Sequence, residues 1–386
     1  MKKLIVLFSA VAALAACSKN EVVPAVSGEN VEISYKVAPR TKADADPKTF
    51  NTDNVFASWA YYLPSGKNWS ADWEGVRKNA KPYIGEEFVG STISHKDGVW
   101  KDQTTSYYWP KGGKLTFFAY SLNSNTLRNQ DHTDTFFYCE NDENAYGISG
   151  ILNLDAHPNT DFLVADIATD KTTNESKYNF TGVPTLFKHR LSRIKFAVKK
   201  KADYANATIT LNSITFNKLI NGMTYTQFNK SGDGFSEYMN TEKASRSTQV
   251  YTQTNFEVAS TEFVSIPESN EVRYIYIPQN FKDITDNIAT IEVKYTVTFK
   301  KGASETDKGI SETYIKTLNV KNIFDSWDMG KRYTFNLIFS LDEIKWAPAV
   351  GDWEDVENTN GYEIKNPEKV ETGDTTIKAN DGNETE

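Results

Sequence analysis

The sequence predicts an all-β protein, and three observations carry that expectation. Apolar residues recur at every second position in one segment after another. Turn-forming Gly, Asn and Asp separate those segments, and no stretch of a dozen residues holds a 3.6-residue apolar stripe. Val31, Ile33, Tyr35 and Val37 alternate with Glu32, Ser34 and Lys36, the pattern of a strand with one apolar face. Pro39 ends it, and Arg40-Thr41-Lys42 followed by Ala43-Asp44-Ala45-Asp46-Pro47 reads as an exposed loop. Leu115, Phe117 and Ala119 alternate in a second strand, and Ile194, Phe196 and Val198 in a third. Ile291, Val293, Tyr295, Val297 and Phe299 form the longest run, and Tyr333, Phe335, Leu337 and Phe339 another. Residues 274–277 (YIYI) stop at Pro278, as a strand does, and Asn221-Gly222 and Ser231-Gly-Asp-Gly234 mark turns. The nearest approach to a helix is residues 70–78, two turns at most, with Ser70 as N-cap. Strands at this spacing without intervening helices favour antiparallel sandwiches.

A chain of 386 residues suffices for two or three domains. Its 8 Trp, 20 Tyr and 22 Phe can build sizeable cores, so it is not disordered throughout. A formal net charge of -8 lacks the basic footprint of a nucleic-acid binder. Two cysteines exclude a disulfide-rich scaffold and a Cys-ligated zinc site. A plausible domain boundary lies near Gly182-Val183-Pro184, and from Glu357 the chain turns polar, as a disordered tail does.

The first residues set the compartment. Lys2 and Lys3 precede an apolar run from Leu4 to Ala16, shorter than the ~20 residues that span a bilayer, so 1–16 reads as a signal peptide. Leu14-Ala15-Ala16-Cys17 looks like a bacterial lipobox, in which cleavage frees Cys17 for acylation (palmitate among the chains). The alternative is an ordinary signal peptide with an incidental cysteine. Residues 17–30 then form a lipid tether, each buried CH₂ contributing ~0.8 kcal/mol of membrane anchorage. With Cys17 acylated, Cys139 has no partner and is expected as a small buried hydrophobe.

Catalytic chemistry finds little footing. His95, His132, His157 and His189 include no two closer than 25 positions, so no H-x-H or H-x-x-x-H pair exists. Isolated histidines are mostly surface or satisfied core residues. There is no G-x-S-x-G, P-loop or EF-hand pattern, and Lys111-Gly112-Gly113-Lys114 reads as a hairpin turn before a strand. Glu86 with Glu87, or Glu140 with Asp142 and Glu143, leave a glycosidase-type carboxylate pair open, solvated acidic loops being the plainer reading. Asp44 and Asp46 are weak calcium candidates. The sequence therefore points to no enzyme, no cofactor and no metal. Trp59, Tyr61, Tyr62, Trp69 and Trp73 crowd together, either as core or as a platform for stacking sugars.

Several segments together resemble the fimbrillin (Mfa-like) family, lipoprotein pilins of type V pili in Gram-negative bacteria. They are Phe117-Phe118-Ala119-Tyr120-Ser121, Asp161-Phe162-Leu163-Val164-Ala165 and the run Leu186-Phe187-Lys188-His189-Arg190-Leu191-Ser192-Arg193-Ile194-Lys195-Phe196. Trp327-Asp328-Met329-Gly330-Lys331-Arg332-Tyr333 follows, then Ile344-Lys345-Trp346 and Trp353. The resemblance implies two transthyretin-like antiparallel β-sandwich domains in tandem, over 31–183 and 184–356, ahead of the polar tail 357–386. It also implies a lipid-anchored precursor at the outer membrane and cell surface, and assembly into a fimbrium by strand exchange. In such pilins an Arg-specific protease removes the first strand. Arg40 matches that position, with Thr41 the new amino terminus, and Val31, Ile33, Tyr35 and Val37 would be the residues whose departure empties a groove. The plainer alternative makes Arg40 a loop arginine of a permanently anchored protein. The implied partners are other pilin subunits, the protease, the outer membrane through acyl chains, and a host or bacterial surface ligand. The polar tail makes a poor donor strand, which leaves Ile344 to Val356 as the apolar candidate and stalk, tip and anchor roles all open. The second functional reading is a glycan-binding surface lipoprotein that never polymerises.

Overall fold

The fold is described from a computed structural model covering residues 31–38, 50–70, 77–86, 88–127, 135–156, 158–173, 182–231, 234–241, 246–252, 255–267, 272–300, 309–341, 344–352, 362–363 and 368–370. The first eleven strands are β1 (Tyr35–Ala38), β2 (Phe56–Leu63), β3 (Pro82–Ile84), β4 (Ser91–Lys96), β5 (Val99–Asp102), β6 (Lys114–Ser121), β7 (Phe136–Asn141), β8 (Ala145–Asn153), β9 (Leu163–Ala165), β10 (Ala168–Lys171) and β11 (Val183–His189). The next ten are β12 (Ser192–Lys200), β13 (Ala207–Ile220), β14 (Gly222–Ser231), β15 (Gly234–Asn240), β16 (Arg246–Thr252), β17 (Phe256–Glu257), β18 (Val264–Ser265), β19 (Ile275–Tyr276), β20 (Gln279–Asn280) and β21 (Thr290–Phe299). Then come β22 (Ile310–Asn319), β23 (Ser326–Trp327), β24 (Lys331–Phe339), β25 (Ile344–Asp352), β26 (Tyr362–Glu363) and β27 (Glu368–Val370). Of the helical candidate at 70–78, the described part forms a single 3-10 turn, Arg77–Asn79.

The all-β expectation is met, and the amino-terminal half organises its strands around a ring. Its sheet runs β6-β9-β11-β1-β5-β4-β2, and the β2–β6 ladder closes these seven strands into a barrel-like cylinder. Closure removes free edges, with β10 and β3 adding to β6 and β2 outside the ring. Phe56, Ile93, Trp100, Leu115 and Phe117 fill the interior. Both faces of β2 and β6 are buried, which the alternation of Leu115, Phe117 and Ala119 alone does not reveal. Trp59, Tyr61, Phe118 and Tyr120 point outward, where a second core forms against Phe137, Ile148, Leu152 and Tyr225 of a four-stranded sheet. That sheet, β15-β14-β8-β7, draws β7 and β8 from one half of the chain and the β14–β15 hairpin from the other.

The carboxyl-terminal half is a sandwich of two sheets around a third core. One sheet runs β18-β12-β24-β25-β26 and the other β16-β13-β21-β22-β27. Ile194, Phe196 and Val198 of β12, with Tyr333, Phe335, Leu337 and Phe339 of the neighbouring β24, share this core with Ile209, Leu211, Ile214 and Phe216 of β13. Phe299, at the end of its alternating run, is instead exposed.

Two ladders depart from the antiparallel expectation. β1 runs parallel to β11 and β12 runs parallel to β24. Such pairs need long crossover connections, so nothing in the local alternation reports them. The chain leaves the barrel for the sandwich between His189 and Ser192, at the end of β11, whereas the division expected near residue 184 falls at its start. Within 357–386, β26 pairs with β25 and β27 with β22, where polar composition predicts no structure.

Candidate functional site

The segment from Val31 to Ala38 lies inside the barrel wall rather than on its surface. The Trp109 amide donates to the Val31 carbonyl at 2.9 Å, and the Ile33 amide donates to the Tyr107 carbonyl at 2.7 Å. The Val183 amide donates to the Ser34 carbonyl at 2.7 Å, and from there β1 stays in register with β11, Tyr35 opposite Val183 through Ala38 opposite Leu186. On its other side Tyr35 stands opposite Trp100 of β5. Backbone partners on both flanks make this an interior strand.

Its alternate side chains enter the barrel core. Ile33 is 3% exposed and Tyr35 4%, with Val37 packed at the margin of the same core. The Tyr35 ring meets Phe56 edge-on at 5.3 Å and Phe117 at 6.0 Å. Its hydroxyl donates to Ser58 Oγ at 2.9 Å, and burial pushes its pKa upward. Val31 departs from the expected set: at 37% exposure it lends its carbonyl to Trp109 but no side chain to the core, because it lies at the rim where the ladder begins. On the polar face, Glu32 forms an ion pair with Lys101 at 2.8 Å and accepts from Ser106 at 2.8 Å. The hydrogen bond from Lys101 is the main cause of its lowered pKa.

Gly182 sets how closely β11 approaches this strand. It adopts φ +145°, and a Cβ there would stand 2.8 Å from the Tyr35 carbonyl carbon and 2.9 Å from the Lys36 nitrogen. The chain after residue 49 anchors separately: Phe50 stacks on Phe187 at 4.9 Å and meets Trp100 at 5.4 Å.

The other candidates settle into structural roles. Trp59, Tyr61 and Trp69 are core; at 1% exposure Trp69 offers no face to a sugar, and Tyr62 alone of the described cluster is exposed. His95 packs on Trp100 at 5.1 Å, and His189 Nδ1 sits 2.6 Å from the buried Asp161 carboxylate. Cys139 is a buried free thiol whose pKa burial raises, as expected of a small hydrophobe. Asp142 ties its own turn, accepting from the Asn144 amide at 3.0 Å. Among the described residues no three His, Cys, Asp or Glu side chains gather as a metal site, and no helix is long and apolar enough to cross a membrane. Cys17, Arg40, Thr41, Asp44, Asp46, Trp73, Glu87, His132 and His157 lie outside the described residues. Sequence reasoning missed Ser58 and Gly182, whose roles arise only from what packs against them.

The fold and this seat define an all-β protein whose opening strand is an inserted member of a closed sheet. The chain belongs to the fimbrillin-like family, whose profile matches residues 43–353, downstream of β1. Among solved structures, a fimbrial protein from Bacteroides vulgatus is similar at 17% identity and a TM-score of 0.60, covering 84% of this chain and 100% of its own. A fimbrial assembly protein from Parabacteroides distasonis aligns at 13% identity and a TM-score of 0.33, covering 87% of this chain and 99% of its own. No curated protein sequence gives a significant match.

Proposed function

We propose that this protein is a structural or adhesive subunit of a cell-surface fimbria, exported as a lipoprotein acylated at Cys17 and assembled by strand exchange after cleavage between Arg40 and Thr41. Family membership supports the fimbrial role. The observation that carries the exchange is the seating of β1: a strand ending two residues before Arg40 is buried in a barrel wall, with its own backbone partners on both sides. Phe50 holds the downstream chain to the same core independently, so a cut at Arg40 frees the strand without loosening the chain beyond residue 49.

Departure of that strand would strip β5 and β11 of backbone partners and uncover the pockets of Ile33 and Tyr35. Refilling each large apolar pocket is worth ~1.5–3 kcal/mol, and an exposed ladder is a template for an incoming strand. The same cut separates the body from its acyl anchor, coupling release to opening. The tandem transthyretin-like description suits the carboxyl-terminal half best, where two sheets face one core.

Amino-terminal sequencing of the protein recovered from cell surfaces tests this reading. The mature form should begin at Thr41 and run as SDS-resistant ladders. Arg40→Ala should leave an acylated monomer extractable by detergent, with its thermal midpoint unchanged. Monomers from both forms after Arg-specific proteolysis would refute assembly by exchange.

A further inference from the structure

The seat discriminates among strands as well as opening for one. Ser58 sits on the inner face of β2 with 0% exposure, and its hydroxyl donates to the Phe118 carbonyl at 3.2 Å. That donation turns its lone pairs toward the barrel, where the Tyr35 hydroxyl reaches them at 2.9 Å. Phe56 and Phe117 hold the ring edge-on, while Ala119, Ala165 and Ala168 line the narrow cleft beside it. Two positions earlier, Ile33 is buried in the same core. From this geometry we infer that Ser58 is a specificity-determining residue, and that the strand accepted after β1 leaves carries an aliphatic residue two positions before a tyrosine.

The inference rests on the strand-exchange reading and narrows it. A buried site built to pair a hydroxyl disfavours an occupant without one, because its polar group is then left unpaired. Phenylalanine in place of tyrosine should bind ~5–10-fold more weakly, the ratio that a hydrogen bond of roughly one kcal/mol gives. The carboxyl-terminal stretch 341–386 holds a single tyrosine, Tyr362, with Asn360 two positions before it. Its apolar portion offers Ile344-Lys345-Trp346, with an indole in place of the phenol. In the direction that β1 runs, residues 341–386 hold no such triplet. The seat is therefore expected to disfavour residues 344–356 of a sister copy as its occupant.

The test uses full-length protein cut after Arg40 and fluorescent peptides that displace the cleaved segment. A peptide of residues 30–40 should enter, its Tyr35→Phe form should bind ~5–10-fold more weakly, and a peptide of residues 344–356 should bind more weakly than either. On Ser58→Ala protein, and on the near-isosteric Ser58→Cys, the difference between the tyrosine and phenylalanine peptides should vanish or shrink. An unchanged ratio on both variants overturns the role of Ser58 while leaving strand exchange standing. A 344–356 peptide that binds as tightly as 30–40 overturns the requirement for an aliphatic residue two positions before a tyrosine. Failure of every peptide to displace the cleaved segment overturns both the inference and the exchange on which it rests.

Discussion

The two halves of the molecule open in the same way and differ in what holds the opening strand. β1 lies parallel to β11, and β12 lies parallel to β24, each leading its half beside a strand from that half's far end. β12 spans nine residues, and only Arg190 and Leu191 separate it from β11, so it is tied to the body covalently at both ends. β1 spans four residues, and the link beyond it is the stretch 39–49 that contains Arg40. Both strands bury aromatic side chains in a core, Tyr35 in one and Phe196 in the other. The two strands therefore differ in length and in the connection that follows them, with burial common to both.

The largest effect should come from β12. Phe196 is fully buried and stacks on Phe335 at 4.9 Å, so Phe196→Ala should lower global stability by about 3–5 kcal/mol in denaturant unfolding. A loss no greater than that of a surface substitution would break the contrast. Gly182→Ala sharpens it from the other side. The new Cβ meets β1 backbone at 2.8 Å in a conformation that side chains disfavour, at a strain of about 1–3 kcal/mol. Amide exchange at residues 33–37 should accelerate while that of β12 stays slow; equal acceleration in both strands would show that the seat is not a separate unit. The smallest effect is electrostatic. The Glu32 carboxyl has a lowered pKa in the fold, so its contribution is present above the unfolded value and is lost as pH falls through the depressed one. Its side chain is 34% exposed, which limits this to under about 1 kcal/mol. β1 exchange should quicken in acid, and Glu32→Gln should flatten that pH dependence.

The sequence is most transparent where one face of a strand is buried and the ladder is regular. β12, β21 and β24 stand where Ile194, Ile291 and Tyr333 begin their alternation. β13 escapes that reading because a register shift between Leu211 and Ser213 breaks the period between Ile209-Leu211 and Ile214-Phe216. β2 and β6 hide one of their faces because two cores share them, so an apolar residue at nearly every position erases alternation. At the site, Ile33 and Tyr35 are legible from their period, whereas Val31 shares the period but lies beyond the core's rim. Ser58 and Gly182 carry no pattern, since a lone serine and a lone glycine acquire meaning only from a partner strand far off in sequence.

The ladder between β8 and β14 has a mechanical consequence. It runs from Asn153 opposite Gly222 to Ala145 opposite Asn229 and bridges the two halves beside the short covalent link at Arg190-Leu191. Arg273 adds a bond to Asp155 at 3.2 Å across the same junction. Moving one half against the other would load the backbone bonds of this ladder together. Bending or separating the two halves would therefore have to break this ladder, because β8 and β14 belong to different halves yet share one sheet.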